Sequence, residues 1–217
     1  DALTIYRIRL MLVEKWAGEM GPDAVEAVLE AGNRIPDMVL RVNALRTDRA
    51  GLIQRLEGEG LMCTPAAYSP SGVHVAGLKR PVDALDAYRE GLFQVQGEAA
   101  QICTLLLDPR PGERVLDLCA GMGGKSTHMA ERMKDRGLVV ALDRMHGRLL
   151  RLSQSTRRLG LSIVRPVAGD AGSDLKRFIR GTFDRVLLDA PCSGLGVLSR
   201  HPDGKWARGP EDVRRLA

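Results

Sequence analysis

Several features that would place a protein in a special class are missing from this sequence. Its 217 residues contain no apolar stretch long enough to cross a bilayer, which excludes a membrane-spanning helix. Only four cysteines occur and none forms a CxxC pair, so neither a disulfide framework nor a metal site is predicted. Aromatic residues are scarce, at 4%, but the 44% hydrophobic share excludes a disordered chain. No targeting leader is visible, and we expect a monomeric cytoplasmic protein.

Charge is unevenly distributed along the chain. Residues 1–143 contain 17 basic and 20 acidic side chains, whereas residues 144–217 contain 15 basic and 7 acidic ones. The C-terminal part therefore carries the excess behind the net charge of +5. This balance indicates a polyanionic partner, although a solvated helix face accounts for most of the arginines between positions 144 and 158.

Local patterns predict three regions. Residues 1–35 form a helical region, in which Asp23 is the predicted N-cap of a short helix. Residues 36–91 read as a small α+β subdomain: a strand over Met38–Asn43, a helix capped by Asp48, and two further extended segments. Residues 92–217 form the third region, which opens with a helix predicted to pack Ala100, Cys103, Leu106 and Leu107.

Strands and helices alternate in the third region. This alternation is typical of an α/β protein with a doubly wound, Rossmann-like parallel sheet. The predicted strands are 114–118, 138–142, 163–167 and 185–188, and the helices between them are 124–135, 147–159 and 175–179. The last strand is apolar, as a central strand is, but no later strand covers its edge. We therefore expect the chain to be a fragment of a longer protein.

A glycine-rich loop joins the first strand to the first helix of this region. It includes Cys119, Ala120, Gly121, Met122, Gly123, Gly124 and Lys125. Glycines here let the backbone approach a ligand and expose helix N-terminal amides. A P-loop would need glycine at Cys119, and a dinucleotide fingerprint would need glycine or alanine at Ser126, so each motif fails at one position.

Acidic residues follow the predicted strands. Asp143 is placed to accept the ribose hydroxyls of an adenosine cofactor, and Asp170 to meet the adenine amino group. Asp117 and Asp189 end the first and fourth strands. Because the carboxyl ends of parallel strands lie at one edge, these carboxylates favour the cationic cofactor S-adenosyl-L-methionine over a pyrophosphate.

Cys192 follows Pro191 in a loop just after the fourth strand, where a functional thiol is favoured over a buried structural one. A thiolate suits pyrimidine chemistry: addition to C6 of cytosine makes C5 nucleophilic enough to take a methyl group. From the residues alone, Cys192 is a candidate for that nucleophile.

Together these motifs resemble the Sun/RsmB-type RNA cytosine-5 methyltransferases. The resemblance extends over almost the whole chain, in Leu40–Asn43, Val95-Gln96, Asp117–His128, Leu188–Ser193 and Arg200–Trp206, the last of which points to the bacterial ribosomal RNA branch. It implies that the glycine loop, Asp143, Arg148, Asp170 and Asp189 hold S-adenosyl-L-methionine.

The resemblance also changes the role given to the thiol. In that family Cys192 would assist product release, with Asp189 beside it, while the attacking thiol belongs to a Thr-Cys pair, which this sequence does not contain. We therefore expect the chain alone to turn over little. Gly121-Met122 replaces the usual Ala-Pro, and Gln96–Ala99 departs from the usual Gln-Asp-Ala-Ser.

RNA contacts are expected from basic and polar residues in the small α+β subdomain and in the segment after Cys192. These are Arg41, Asn43, Arg200, His201 and Lys205. The function expected is methyl transfer to a cytosine of small-subunit ribosomal RNA. Two alternatives remain open from the residues alone: an NAD-dependent oxidoreductase, and a non-catalytic RNA-binding module with a vestigial cofactor site.

Overall fold

The structure is a computed structural model that describes residues 8–34, 36–175, 179–207, 209 and 211–212. The chain divides into two units, residues 37–190 and the combination of residues 1–36 with 191–217. The start of the larger unit lies close to the predicted boundary at residue 36. The predicted division between residues 91 and 92 falls inside the larger unit.

The smaller unit is built on two helices, α1 (Leu10–Met20) and α2 (Pro22–Asn33). A 3-10 turn at Leu195–Val197 and a one-turn helix at Gly204–Ala207 also belong to it. Its core is apolar and contains Ile8, Leu12, Trp16, Val25, Leu29 and Leu198. The N-cap of α2 is Gly21, not Asp23, because Pro22 takes the first helical position and Asp23 falls in the first turn.

The larger unit begins with an antiparallel sheet. Its elements in chain order are β1 (Met38–Val42), α3 (Arg49–Gly58), β2 (Met62–Pro65), β3 (Gly72–Ala76), α4 (Asp86–Arg89) and β4 (Phe93–Val95). The strand order is β2-β3-β1-β4. The predicted strand–helix–strand–strand order is confirmed, but β4 was not predicted, because three residues are too few to show alternation.

One face of this sheet forms an apolar core with α3. Leu40 and Val42 of β1 lie beside Val73 and Val75 of β3, and all four are buried. Alternate residues of a strand point to opposite faces, so Arg41 lies on the other side of the sheet. Asp48 caps α3 as predicted, with Oδ1 accepting from the Gly51 N–H at 2.7 Å.

The second sheet of the larger unit is parallel. The elements are α5 (Glu98–Leu107), β5 (Arg114–Asp117), α6 (Gly124–Arg132), β6 (Leu138–Asp143), α7 (His146–Leu159), β7 (Val164–Ala168) and β8 (Arg185–Leu187). The order is β7-β6-β5-β8, and all three pairings are parallel. This confirms the predicted α/β fold. The helix predicted over 175–179 lies largely outside the described residues.

Helix α5 buries a different face from the one predicted. Gln101 and Thr104 are its buried residues, whereas Cys103 is exposed and Leu106 is 81% exposed. Gln101 is stable in the interior because its amide group donates to the carbonyls of Leu40 and Gln96 and accepts from a serine hydroxyl. Within the part of the chain that is described, no helix has the length and apolarity to span a membrane.

The Asp48 cap gives a stability prediction. Asp48→Ala removes the acceptor for the Gly51 N–H, and we expect the free energy of unfolding to fall by about 1 kcal/mol in urea titrations. Asp48→Asn retains an accepting oxygen and should lose only a fraction of that amount. Equal losses in the two variants would show that the charge, and not the cap, matters.

Candidate cofactor site

The glycine loop runs from the end of β5 to the start of α6. The Ala120 N–H donates to the Leu142 carbonyl at 2.8 Å, which ties the loop to β6. The Gly121 N–H donates to Asp143 Oδ2 at 2.9 Å, and the Gly123 N–H to the Ala120 carbonyl at 2.9 Å. Hydrogen bonds donated by its backbone N–H groups therefore fix the loop. The N-terminus of α6 then lies at the carboxyl edge of the sheet.

Two glycines of the loop adopt left-handed backbone conformations. Gly121 has φ +57° with open space around its Cα, whereas Gly123 has φ +85° and packs against Leu152 of α7. A Cβ on Gly123 would lie 2.5 Å from Leu152 Cγ. Gly123 is thus required both for its backbone conformation and for the close approach of the loop to α7.

Asp117 is the buried carboxylate at the end of β5. It is 1% exposed, and its Oδ2 accepts from the Ser126 hydroxyl at 2.6 Å. Its Oδ1 has no hydrogen-bond partner among the described residues. Burial raises the pKa of Asp117 to about 6, against the opposing effect of the Ser126 hydrogen bond. A buried acceptor of this kind calls for a ligand with a donor.

A cavity of about 120 Å³ lies at Asp117. Its wall includes residues of the predicted cofactor loop, among them Cys119, Gly124 and Lys125, together with Asp189. Ala120 also lines it, as do Gln96 and Ala100. The side-chain nitrogen Nε2 of Gln96 is a second buried polar atom for which the described residues supply no partner. Both a free acceptor and a free donor therefore belong to the wall of one cavity.

The remaining strand-end carboxylates lie where the sequence pattern placed them. Asp143 is buried, and its Oδ1 accepts from the Met145 N–H at 2.7 Å while Arg148 approaches Oδ2 at 3.8 Å. Asp170 is exposed and forms a turn through the Gly172 N–H. Asp189 forms an ion pair with Lys125. Met122 is exposed, and its sulfur lies 3.7 Å from a guanidinium nitrogen of Arg151.

The electrostatics of the site are visible at Cys119. Burial is the largest cause that raises the pKa of this thiol, and the negative charges of four carboxylates raise it further. These are Asp143, Asp117, Asp189 and Asp170. The four strand ends therefore contribute a negative potential at Cys119, which favours a positively charged ligand.

The loop after β8 belongs to the smaller unit from Pro191 onward. Cys192 is exposed and has no disulfide partner. Its sequence position, three residues after Asp189, is the basis for its predicted catalytic role. That role stays a prediction.

Arg41 requires a correction. We expected it to contact RNA, but its side chain is 0% exposed and its guanidinium is bonded inside the protein. Two of its N–H groups donate to Glu131 of α6, at 3.0 and 2.7 Å. A buried, fully paired arginine has no N–H group left for a phosphate.

Asn43 is corrected for the same reason. The Asn43 amide is buried and donates to the carbonyls of Gly91 and Leu159, both at 2.9 Å. The Lys205 side chain is mostly buried in the smaller unit, where its ammonium group donates to Asn33 Oδ1, and its contact with RNA stays a prediction. Arg200 and His201 are exposed, as an RNA contact requires, and their contact with RNA stays a prediction.

Two residues of the site were not among the predicted ligands. Asp117 ends a strand as Asp143 does, so the strand-end rule already contained the signal for it. Gln96 was marked only by the family resemblance, and the orientation of its amide depends on a side chain 55 residues earlier, Arg41. No group of His, Cys, Asp and Glu suited to a metal ion occurs among the residues that the structure describes.

Two family models match this chain. The model of the family described as 16S rRNA methyltransferase RsmB/F matches residues 104–217, which is more than half of the chain. A second model, described as Methyltr_RsmF/B-like, ferredoxin-like domain, matches residues 11–83.

Individual relatives agree with the family models. The chain is 36% identical over 206 residues to the probable ribosomal RNA small subunit methyltransferase B of Bacillus subtilis, covering 95% of this chain and 46% of the relative. It is 40% identical to the ribosomal RNA small subunit methyltransferase B of Salmonella paratyphi B, covering 90% and 45%. The crystal structure of PH0851 superposes with a TM-score of 0.93 and 32% identity over 99% of this chain and 48% of that one. The chain thus spans about half the length of these relatives.

The two left-handed glycines give a matched pair of variants. Gly121→Ala incurs only the left-handed backbone cost, about 1 kcal/mol of unfolding free energy. Gly123→Ala adds the clash with Leu152, which we expect to cost about 1–3 kcal/mol more because α7 must shift. Thermal and urea unfolding of both variants measures the difference. Equal stability of the two would contradict the packing of this loop against α7.

Proposed function

The chain belongs to the 16S rRNA methyltransferase RsmB/F family, and from this premise we propose that its glycine-loop cavity holds S-adenosyl-L-methionine. The complete protein would transfer the methyl group to C5 of a cytosine in small-subunit ribosomal RNA. The family membership favours this function over the NAD-dependent oxidoreductase and the non-catalytic RNA-binding module that the residues alone left open.

The unpartnered Asp117 Oδ1 is the observation that carries the cofactor part of the proposal. S-adenosyl-L-methionine has an α-ammonium group, whose three N–H donors would satisfy a buried carboxylate oxygen. The cofactor is also a sulfonium cation, and the negative field of the four strand-end carboxylates suits that charge better than a pyrophosphate. When bound, it supplies an electrophilic methyl group.

The adenosine end of the cofactor is assigned to Asp143 and its neighbours. Both oxygens of Asp143 already accept one backbone N–H each, but a carboxylate oxygen has further lone pairs for ribose hydroxyls. We assign the rim of this subsite to Arg148 and Asp170. Asp189 holds the Lys125 ammonium at the cavity wall, which keeps that cation from opposing the bound sulfonium.

Cys192 is proposed as the thiol that assists product release on the cytosine. In this scheme a cysteine thiolate outside these 217 residues adds to C6, which makes C5 nucleophilic. After C5 has been methylated and has lost its proton, the C6–S bond breaks and the thiolate leaves. The exposed Cys192 would act at that last step, with Asp189 nearby in sequence.

The RNA would contact the exposed basic residues that follow Cys192, of which Arg200 and His201 are described. Phosphate contacts of this kind make binding weaken as salt rises. We propose that the protein acts in the cytoplasm, which a ribosomal RNA substrate would favour, and that it acts as a monomer.

Two measurements test the proposed function. Titration calorimetry of the folded 217-residue chain with S-adenosylhomocysteine should show binding at one site, and its absence would refute the cofactor assignment. The RNA assignment is tested with the protein made from the complete reading frame: tritium from methyl-labelled S-adenosyl-L-methionine should appear in a cytosine of unmethylated small-subunit rRNA. Label in another base, or in none, would refute it.

Cofactor affinity should depend on pH through Asp117. The pKa of about 6 in the free protein means that this carboxyl is protonated below pH 6, and a protonated carboxyl does not attract the ligand's ammonium group. Ligand binding therefore releases a proton in acid, and the affinity for S-adenosylhomocysteine should fall by about tenfold from pH 7 to pH 5.

Asp117→Asn is the control for this pH dependence. It should bind more weakly and lose the drop between pH 7 and pH 5. In the free protein the same raised pKa has a stability consequence: the contribution of Asp117 is complete below the unfolded pKa of 3.8 and is lost as pH rises through about 6. If the pH dependence of the affinity were unchanged in Asp117→Asn, this carboxyl would not be the group that binds the ammonium.

A further inference from the structure

Every polar group of Gln96 except one forms a hydrogen bond within the larger unit. Its backbone N–H donates to the Val39 carbonyl at 3.1 Å, and its carbonyl accepts from Gln101 Nε2 at 2.9 Å. Its side-chain Oε1 accepts from Arg41. Only Nε2 is left without a partner among the described residues, although the side chain is buried.

Arg41 determines which end of this amide faces the cavity. A guanidinium group only donates hydrogen bonds, so Gln96 can meet Arg41 only through Oε1 and must direct its NH₂ group elsewhere. The free Nε2 lies close to the N-terminus of α6, since a Cβ on Gly124 would be 3.8 Å from it. The cavity wall thus presents an N–H donor next to a helix N-terminus, and both favour a negatively charged acceptor.

The same arginine also fixes the start of α6. Its five N–H donors all have partners: two bonds to Glu131, one to the Gly124 carbonyl at 2.7 Å, one to Thr127 Oγ1 at 3.1 Å, and one to Gln96. Arg41 therefore holds the donor of Gln96 and the first residue of the helix in one fixed arrangement. No lysine has enough donors, or the planar shape, to replace it.

We propose that Gln96 Nε2 binds the α-carboxylate of the cofactor's amino-acid end and that Arg41 is the positioning residue that orients it. The inference rests on the proposed function, in which Asp117 takes the ammonium group of the same zwitterion. The two unpartnered atoms, Asp117 Oδ1 and Gln96 Nε2, would then bind the ammonium and the carboxylate of one amino acid. Arg41 itself does not touch the cofactor.

The chain offers a matched control for this arrangement. Gln94, two residues earlier, accepts through Oε1 from Arg158, a second partly buried arginine that also donates to the carbonyls of Tyr88 and Phe93. Gln94 is not part of the cavity wall. Gln94→Glu and Gln96→Glu therefore make the same chemical change beside an arginine, one outside the cavity and one inside it.

The experiment compares two probes, S-adenosyl-L-methionine and its decarboxylated form, which keeps the sulfonium and the ammonium but lacks the carboxylate. Gln96→Glu keeps an acceptor for Arg41 and replaces the Nε2 donor with an oxygen. We expect its affinity for S-adenosyl-L-methionine to fall by about 10- to 100-fold, the effect of losing a hydrogen bond to a charged group. Its affinity for the decarboxylated probe should not fall.

Two further variants separate positioning from general damage. Gln94→Glu should bind both probes as the unaltered chain does. Arg41→Lys should lose affinity for S-adenosyl-L-methionine but not for the decarboxylated probe, whereas Arg158→Lys should lose thermal stability without this selective loss. Calorimetry gives the affinities, and thermal unfolding confirms that each variant is folded at the assay temperature.

Each alternative outcome has a distinct meaning. Equal weakening of both probes in Gln96→Glu, or no weakening of either, overturns the carboxylate assignment while the proposed function stands. A selective loss in Gln96→Glu without one in Arg41→Lys overturns the positioning role of Arg41. Failure of the unaltered chain to bind either probe refutes the proposed function and this inference together.

Discussion

The buried ion pair between Arg41 and Glu131 is the constraint on which the larger unit depends. Both side chains are almost fully buried, and burial raises the pKa of Glu131 while Arg41 opposes that change. An uncompensated charge at this depth would cost about 3–5 kcal/mol, so the pair is tolerable only because every guanidinium N–H has an acceptor. Those acceptors belong to Gln96, which directly follows β4, and to α6, the helix that begins at the end of the glycine loop. The antiparallel sheet and the cofactor loop therefore cannot be rearranged independently.

Residues of α7 make a second set of contacts that connects the two sheets. Arg158 donates to the carbonyls of Tyr88 and Phe93 and lies 3.7 Å from the centroid of the Tyr88 ring, while Asn43 donates to the Leu159 carbonyl. These contacts join α7 to the strand and helix before residue 96. Buried and partly buried polar side chains thus connect two sheets whose apolar cores are separate. This explains why residues 37–190 form one unit although two family models match this region.

The sequence predicted the parallel sheet well because its signals are local. Strand–helix alternation, glycines between β5 and α6, and aspartates at strand ends all require only neighbouring residues to interpret. Arg41 and Asn43 were misassigned because a basic or polar residue in sequence does not show whether an acceptor lies beside it in space. Arg41 meets Glu131 across 90 positions, and Lys205 meets Asn33 across 172. The burial of Gln101 in place of Leu106 has the same origin, since two of its three partners come from distant segments.

The charge of the cavity also decides which cysteine can do chemistry. Only a thiolate is an effective nucleophile, and the pKa of Cys119 is raised by burial and by four aspartates. The field that suits a cationic cofactor therefore suppresses the thiolate beside it. Cys119 lies in the cavity wall, and its raised pKa fits the proposal that the attacking thiolate comes from another segment.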